Sequence, residues 1–203
     1  MATWKRVMSL LLCAALVLAM LPAMEGKSKA TVQLTGMSTN YTLTGKQATD
    51  IVRVAQAQEG KSGADLGVYE GWCADFVFSC ARAAGISASI IPTTGSVTTM
   101  YNQILNNGGT IVSSPREGDL IFYAPESNTH VGIMIDSTNS VHGNVNGVVT
   151  ICPYTWYRNV NGVLPNYVFV RPNYSSYPPP TIVTEVSVHN DSSVTVSFAA
   201  VAM

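Results

Sequence analysis

Charged side chains are scarce in this chain of 203 residues, of which only 11% are Asp, Glu, Lys or Arg. The sequence also lacks the basic excess that nucleic-acid binding requires, because 11 basic residues are balanced by 12 acidic ones. Beyond residue 30 the balance becomes acidic, with 7 basic and 11 acidic side chains, a net charge of about −4. The composition therefore predicts a protein that does not bind nucleic acid.

Long apolar runs are absent except for one near the N terminus. Lys5 and Arg6 precede an apolar run over 7–21, and small and polar residues follow it, which is the layout of a secretory signal peptide. Cleavage after Ala23 or after Ala30 fits the small residues there, and we prefer Ala30. Since the run is too short to cross a bilayer comfortably, we predict an exported protein without stable membrane insertion once residues 1–30 are removed.

Cysteines are few, and three remain after the leader: Cys73, Cys80 and Cys152. An odd number leaves at least one free thiol in an oxidising compartment. Seven helical steps place Cys73 and Cys80 about 10 Å apart, which is too far for a disulfide. Cys80 and Cys152 either bridge each other or stay as two buried thiols.

Hydrophobic periodicity predicts helices first and strands afterwards. Apolar positions at helical spacing predict helices over 47–58, 73–84 and 96–105. In the second helix one face carries Cys73, Phe76, Val77, Cys80 and Ala84. After Gly109 the period changes to two, which predicts five strands, over 118–123, 130–135, 140–145, 148–152 and 166–171. This order indicates an α+β domain in which N-terminal helices pack on an antiparallel β-sheet.

The C-terminal part differs in composition. A Pro-rich segment over 173–181 predicts a stiff linker, and residues 182–203 alternate as in a β-hairpin with a polar turn near Asn190 and Asp191. So short a tail cannot bury a core of its own, so it is either the start of a β-sandwich module or a segment that docks elsewhere. The predicted organisation is a signal peptide (1–30), an N-terminal extension (31–46), one domain (47–172), the linker and the tail.

Only two histidines, His130 and His142, lie in the predicted domain, which limits the bases available to a cysteine nucleophile. Cys73 falls in the first turn of its helix, where the helix dipole favours a thiolate and backbone N–H groups can bind an oxyanion. A three-residue turn over 136–138, shifted by at most one, would place His130 opposite Asn144, with His142 diagonally beside it. A nucleophile, a base and a polar orienter are the parts of a catalytic triad.

Three segments and their order along the chain are characteristic: GWCADFVFSCARAAGI (71–86), EGDLIFYAPESNTHVGIMI (117–135) and SVHGNV (140–145). Together they resemble the CHAP domain, the cysteine, histidine-dependent amidohydrolase/peptidase of bacterial cell-wall hydrolases, which belongs with the NlpC/P60 proteins in a papain-like fold. The resemblance runs from about Gln47 to Arg171. It implies that Cys73 is the nucleophile and His130 the general base.

The third catalytic position departs from the CHAP pattern. CHAP proteins often place an acidic residue before Gly-Asn, whereas this sequence has His142 before Gly143 and Asn144. NlpC/P60 relatives commonly have a second histidine at about this distance, so the resemblance favours His142 as the orienter and Asn144 as second choice. It further implies a monomeric cysteine amidase or endopeptidase, secreted or cell-wall associated. Such an enzyme hydrolyses an amide bond in the peptide part of peptidoglycan through a thioester, with no cofactor or metal.

Three residues near the nucleophile are predicted substrate contacts: Tyr69, Trp72 and Asp75. Otherwise the aromatic rings pack beside the start of the helix, and Asp75 complements the helix dipole or binds a cation. Cys73 is alternatively a buried structural thiol, the role we expect for Cys80 and Cys152. The competing function is then a non-catalytic cell-wall-binding or surface-adhesion protein on a CHAP-like scaffold.

Overall fold

The computed structural model of the chain describes residues 31–158, 161–175, 182–188 and 194–199. The predicted signal peptide, most of the predicted linker and the predicted turn near Asn190 and Asp191 lie outside the described residues.

Three helices form where the apolar period is helical. They are α1 (Gln47–Gln56), α2 (Cys73–Ala83) and α3 (Val97–Asn106), which confirms the three predicted helices. Ser96 caps the start of α3, since its side chain accepts a hydrogen bond from the backbone N–H of Thr99 at 3.2 Å. After α2, Gly85 has a φ of 71° and Ile86 N–H donates to the carbonyl of Ala81, so the helix stops at a left-handed glycine.

Six strands follow and form one antiparallel sheet. They are β1 (Thr110–Val112), β2 (Leu120–Tyr123), β3 (His130–Met134), β4 (Asn139–Val145), β5 (Val148–Pro153) and β6 (Tyr167–Arg171), in the spatial order β1-β6-β2-β3-β4-β5. The five predicted strands and the α+β class are confirmed, with helices preceding an antiparallel sheet as in a papain-like fold. Strand β1 escaped prediction because three residues are too few to show a period.

Helix α2 is the central element of the core. Every residue from Cys73 to Ala81 is buried, and the helix packs against α1, β3 and β4. The predicted single apolar face is therefore only part of its buried surface. The N-terminal extension contacts the helix as well, because Val32 N–H donates to Asp75 Oδ1 at 3.1 Å and Leu34 N–H to Ser79 Oγ at 3.2 Å.

The Gly118–Asp119 step fixes α1 and β6 to the start of β2. Gly118 has a φ of 83°, and a Cβ there would lie 2.7 Å from the Cα of Ala48 on α1, so only glycine fits. Asp119 is 1% exposed and accepts two hydrogen bonds of 2.8 Å from Arg171 at the end of β6. A buried carboxylate needs such a pairing, so this part of the GDLIF segment has a structural role.

The tail forms the predicted hairpin strands. Strand β7 (Ile182–Val188) pairs antiparallel with β8 (Val194–Ala199) in a separate two-stranded sheet. Among the described residues, none of the helices has the length and apolar character needed to cross a membrane.

Candidate active site

The β3–β4 hairpin has the predicted turn and register. Ile133 pairs with Val141, and a hydrogen bond from Ile135 N–H to the carbonyl of Asn139 leaves residues 136–138 as the turn. Continuing this register places Gly132 opposite His142. The two predicted histidines therefore lie diagonally on one face of neighbouring strands, as the alternation predicted.

Two glycines create the space that the site needs. A Cβ on Gly132 would lie 2.2 Å from both Nδ1 and Cε1 of His142, so the imidazole ring lies directly over Gly132. A Cβ on Gly143 would lie 2.5 Å from the Cβ of Phe76, so α2 packs closely against β4 at this point. The first glycine admits the ring of His142, and the second brings the helix that carries Cys73 against the same strand.

The two imidazole rings are joined to each other and to a serine. His130 Nε2 lies 3.2 Å from His142 Nδ1, and His142 Nε2 lies 2.6 Å from the hydroxyl of Ser140. His130 is 5% exposed, while His142 and Ser140 are fully buried. Ser140 and His142 share a strand face because they are two residues apart on β4. Ser140 was not among the predicted site residues.

Burial keeps both histidines neutral near pH 7. It lowers the pKa of His130 to about 4. Burial, and next the neighbouring His130, hold the pKa of His142 well below its usual range, although the Val131 carbonyl acts in the opposite direction. At neutral pH His130 is therefore in the unprotonated form that a general base requires.

A pocket of about 340 Å³ brings the predicted nucleophile and the predicted base together. Its lining residues are Gly71, Cys73, Gly95, Val97, Asn128, Thr129, His130, Asn144 and Tyr157. Cys73 is the first residue of α2, as predicted, and its exposure is 7%. The thiol therefore lines an open pocket with only a small part of its surface accessible.

Aromatic rings surround the histidine pair on its other sides. Tyr157 stacks on His130 with ring centroids 5.4 Å apart and planes 12° apart. Trp156 presents an edge-to-face contact to His130 at 5.7 Å and lies 5.4 Å from His142, while Tyr123 lies 5.9 Å from His130. Burial and the nearby Cys73 raise the pKa of Tyr157. None of these rings was among the predicted site residues, although the aromatic-rich segment PYTWY (153–157) at the end of β5 is a signal in the sequence.

The predicted site residues separate into three groups. Cys73, His130, His142 and Asn144 are brought together. Asn144 lines the pocket with a φ of 66°, but it is His142 that contacts the ring nitrogen of His130. Tyr69 is 85% exposed on the loop before α2, so it is available to a ligand and stays a predicted substrate contact.

The structure corrects the other two predicted substrate contacts. Trp72 is 2% exposed and packs edge-on against Phe76 in the core. Asp75 is 1% exposed and binds the backbone of Val32 in the N-terminal extension. Both side chains are directed into the protein because α2 is buried along its length, and neither lines the pocket that contains Cys73 and His130.

The remaining cysteines differ from Cys73 in their surroundings. Cys80 is fully buried, and burial raises the pKa of its thiol well above the usual value. Cys152 is half-buried, and burial raises its pKa to about 11. Within the described residues none of these three cysteines forms a disulfide, so Cys80 and Cys152 do not bridge each other. In the described part of the chain, no three His, Cys, Asp or Glu side chains gather in a way that could hold a metal ion.

Comparison with known proteins finds similarity only among solved structures. No protein-family model matches the chain, and no curated protein matches it. The P60 domain of an antigen from M. avium subspecies paratuberculosis is 19% identical over 62% of this chain and 93% of that chain, with a TM-score of 0.42. RipD from Mycobacterium tuberculosis is described as a non-catalytic NlpC/p60 domain protein adapted to peptidoglycan binding. It is 24% identical, the match covers 62% of this chain and 98% of RipD, and the TM-score is 0.42.

A third similar structure is the peptidoglycan hydrolase RipB from Mycobacterium tuberculosis. It is 22% identical, covers 62% of this chain and 63% of its own, and has a TM-score of 0.42. Because these identities are below 25% and the TM-scores below 0.5, the similarities do not assign the chain to a family or to an activity.

Proposed function

We propose that the protein is a cysteine amidase or endopeptidase that hydrolyses an amide bond in the peptide part of bacterial peptidoglycan. One observation carries the proposal: Cys73 and His130 line the same pocket, and His142 contacts His130 from outside it. A nucleophile, a neutral base and a hydrogen-bonded orienter are the groups that acyl transfer through cysteine requires.

In the proposed reaction Cys73 Sγ attacks the carbonyl carbon of the scissile amide. Because Nε2 of His130 is engaged with His142, Nδ1 of His130 takes the thiol proton. Backbone N–H groups in the first turn of α2 stabilise the oxyanion of the tetrahedral intermediate. The C–N bond then breaks, the amine leaves with the proton from His130, and a thioester remains. Water, deprotonated by His130, hydrolyses the thioester and restores the free thiol.

The substrate class is supported by the sequence and by the pocket walls. The resemblance of the three segments to CHAP and NlpC/P60 hydrolases points to peptidoglycan, and the leader predicts export to the compartment where that polymer lies. Apart from His130, the pocket is lined by uncharged residues, among them Gly71, Gly95, Asn128 and Thr129. Such walls suit a neutral peptide amide. We propose a monomer, secreted or associated with the cell wall, that acts without a cofactor.

Release of amino groups from peptidoglycan tests this function. Purified protein is incubated with cell walls, and newly formed amino groups are counted. Cys73→Ala should abolish release, whereas Cys80→Ala, which alters a fully buried thiol outside the pocket, should retain most of it. If both variants release amino groups like the parent, Cys73 is not the nucleophile.

The low exposure of Cys73, 7%, favours a second candidate function, a non-catalytic cell-wall-binding protein. The rate at which iodoacetamide alkylates Cys73 distinguishes the two candidate functions. At a pH of about 6 alkylation of Cys73 should be fast if the thiol is activated and slow if it has an ordinary pKa. A protein that sediments with peptidoglycan, releases no amino groups and reacts slowly would be a binding protein.

A further inference from the structure

We propose that Ser140 is a positioning residue that selects the proton arrangement of both histidines and so leaves Nδ1 of His130 free to act as the base. The inference rests on the proposed function and adds one positioning residue behind Cys73, His130 and His142. Ser140 touches neither Cys73 nor the pocket; it acts through His142.

The hydroxyl of Ser140 has two polar neighbours and one proton. Its Oγ lies 3.3 Å from the backbone carbonyl oxygen of Cys152 on β5 and 2.6 Å from Nε2 of His142. A carbonyl oxygen can only accept a hydrogen bond. If the hydroxyl donates to Cys152, its oxygen must accept from His142, so the imidazole of His142 carries its proton on Nε2.

The proton position on His142 determines the proton position on His130. A neutral His142 protonated on Nε2 has a lone pair on Nδ1, and Nδ1 lies 3.2 Å from Nε2 of His130. His130 must therefore donate from Nε2, and its Nδ1 is left unprotonated. The opposite arrangement, with the hydroxyl donating to His142, would place a proton on Nδ1 of His130 and block it as a base.

The titratable groups that face the histidines bring no charge that would change this hydrogen-bond arrangement. Those that titrate are Cys73 on α2, Tyr123 on β2, Cys152 on β5 and Tyr157 after β5. Burial raises the pKa of Tyr123, Tyr157 and Cys152, so these three stay neutral near pH 7.

Proton positions are measured directly by long-range ¹H–¹⁵N correlation NMR of the parent protein at neutral pH, because the two neutral tautomers of histidine give different patterns. We expect both His130 and His142 as the Nε2–H tautomer. A spectrum with His142 as the Nδ1–H tautomer would overturn the proposal. This measurement needs no substrate, so it decides the proton arrangement even if the protein does not hydrolyse peptidoglycan.

Variants then test the role of the hydroxyl. Ser140→Ala should lower kcat about tenfold with little change in KM, as expected for one lost buried hydrogen bond, and should give His142 as a mixture of tautomers. Ser140→Thr, which restores a hydroxyl, should recover the Nε2–H pattern. Ser79→Ala is the matched control, since Ser79 is an equally buried serine that bonds the backbone of Leu34 away from the pocket. Parental kcat and tautomers in Ser140→Ala would refute the role.

Discussion

Replacing Gly132 by alanine should inactivate the protein while leaving it folded. A Cβ at this position would lie 2.2 Å from Nδ1 and Cε1 of His142, whereas non-bonded heavy atoms normally approach to about 3.5 Å. The ring must therefore move by more than about 1 Å. It has little freedom to do so, because His142 is fully buried between His130 at 3.2 Å and Ser140 at 2.6 Å.

The size of the effect follows from these contacts. Overpacking a well-filled core costs about 1–3 kcal/mol, and breaking one buried hydrogen bond adds about 1–3 kcal/mol. We expect the free energy of unfolding to fall by about 4 kcal/mol, the middle of the summed range. A misplacement of about 1 Å in a catalytic group can cost a hundredfold in rate, so amino-group release from peptidoglycan should fall about a hundredfold.

The assay compares amino-group release with the unfolding free energy from urea titration. Gly60→Ala is the control, because Gly60 has a φ of 81° with no heavy atom within 4 Å of the added Cβ. That substitution should cost about 1–2 kcal/mol of backbone strain without a change in activity. If Gly132→Ala is folded and as active as the parent, the position of His142 does not matter for the reaction.

Three further predictions concern pH, the thiol and stability. Burial lowers the pKa of His130 from 6.5 to about 4, so the unfolded chain binds more protons than the folded protein between these pH values. The free energy of unfolding, measured by urea titration, should therefore fall by about 3 kcal/mol as the pH drops through that window. The same dependence of this free energy on pH in His130→Gln would contradict the prediction. His130→Gln should also slow the alkylation of Cys73 by iodoacetamide at a pH of about 6. An unchanged rate would show that His130 does not activate the thiol. Arg171→Gln leaves the buried Asp119 without its cation and with only the backbone N–H of Arg116 as a partner among the described residues, so it should lower the free energy of unfolding by about 3 kcal/mol. The exposed Arg53→Gln should change it by less than about 0.5 kcal/mol. Equal losses in the two variants would show that the ion pair contributes nothing.

The hairpin with the two histidines could be predicted because its determinants are local. Alternation places residues two apart on one face, and a three-residue turn sets the register, so the diagonal placement of His130 and His142 follows from the residues between them. The three helices and five of the six strands were predictable for the same reason, since each has a period within its own segment.

Residues that meet from distant segments were not predictable in this way. Trp72 was predicted to contact substrate because it is an aromatic residue beside the start of α2. It is buried instead, because the N-terminal extension and the sheet enclose α2. Tyr157 stacks on His130 although the two are separated by two strands, and no period in either segment indicates the contact. Ser140 lies on the strand face of His142, but the second partner of its hydroxyl, the backbone carbonyl of Cys152, belongs to the neighbouring strand β5.

The sequence by itself determined the order of helices and strands, the start of α2 at Cys73 and the shared face of the two histidines, because spacing along the chain controls which side of an element a residue occupies. Only the tertiary structure decided which of those faces is buried, which side chains line the pocket and where each buried hydrogen bond ends. Those features depend on close packing between segments far apart in the chain, and a one-dimensional period contains no information about that packing.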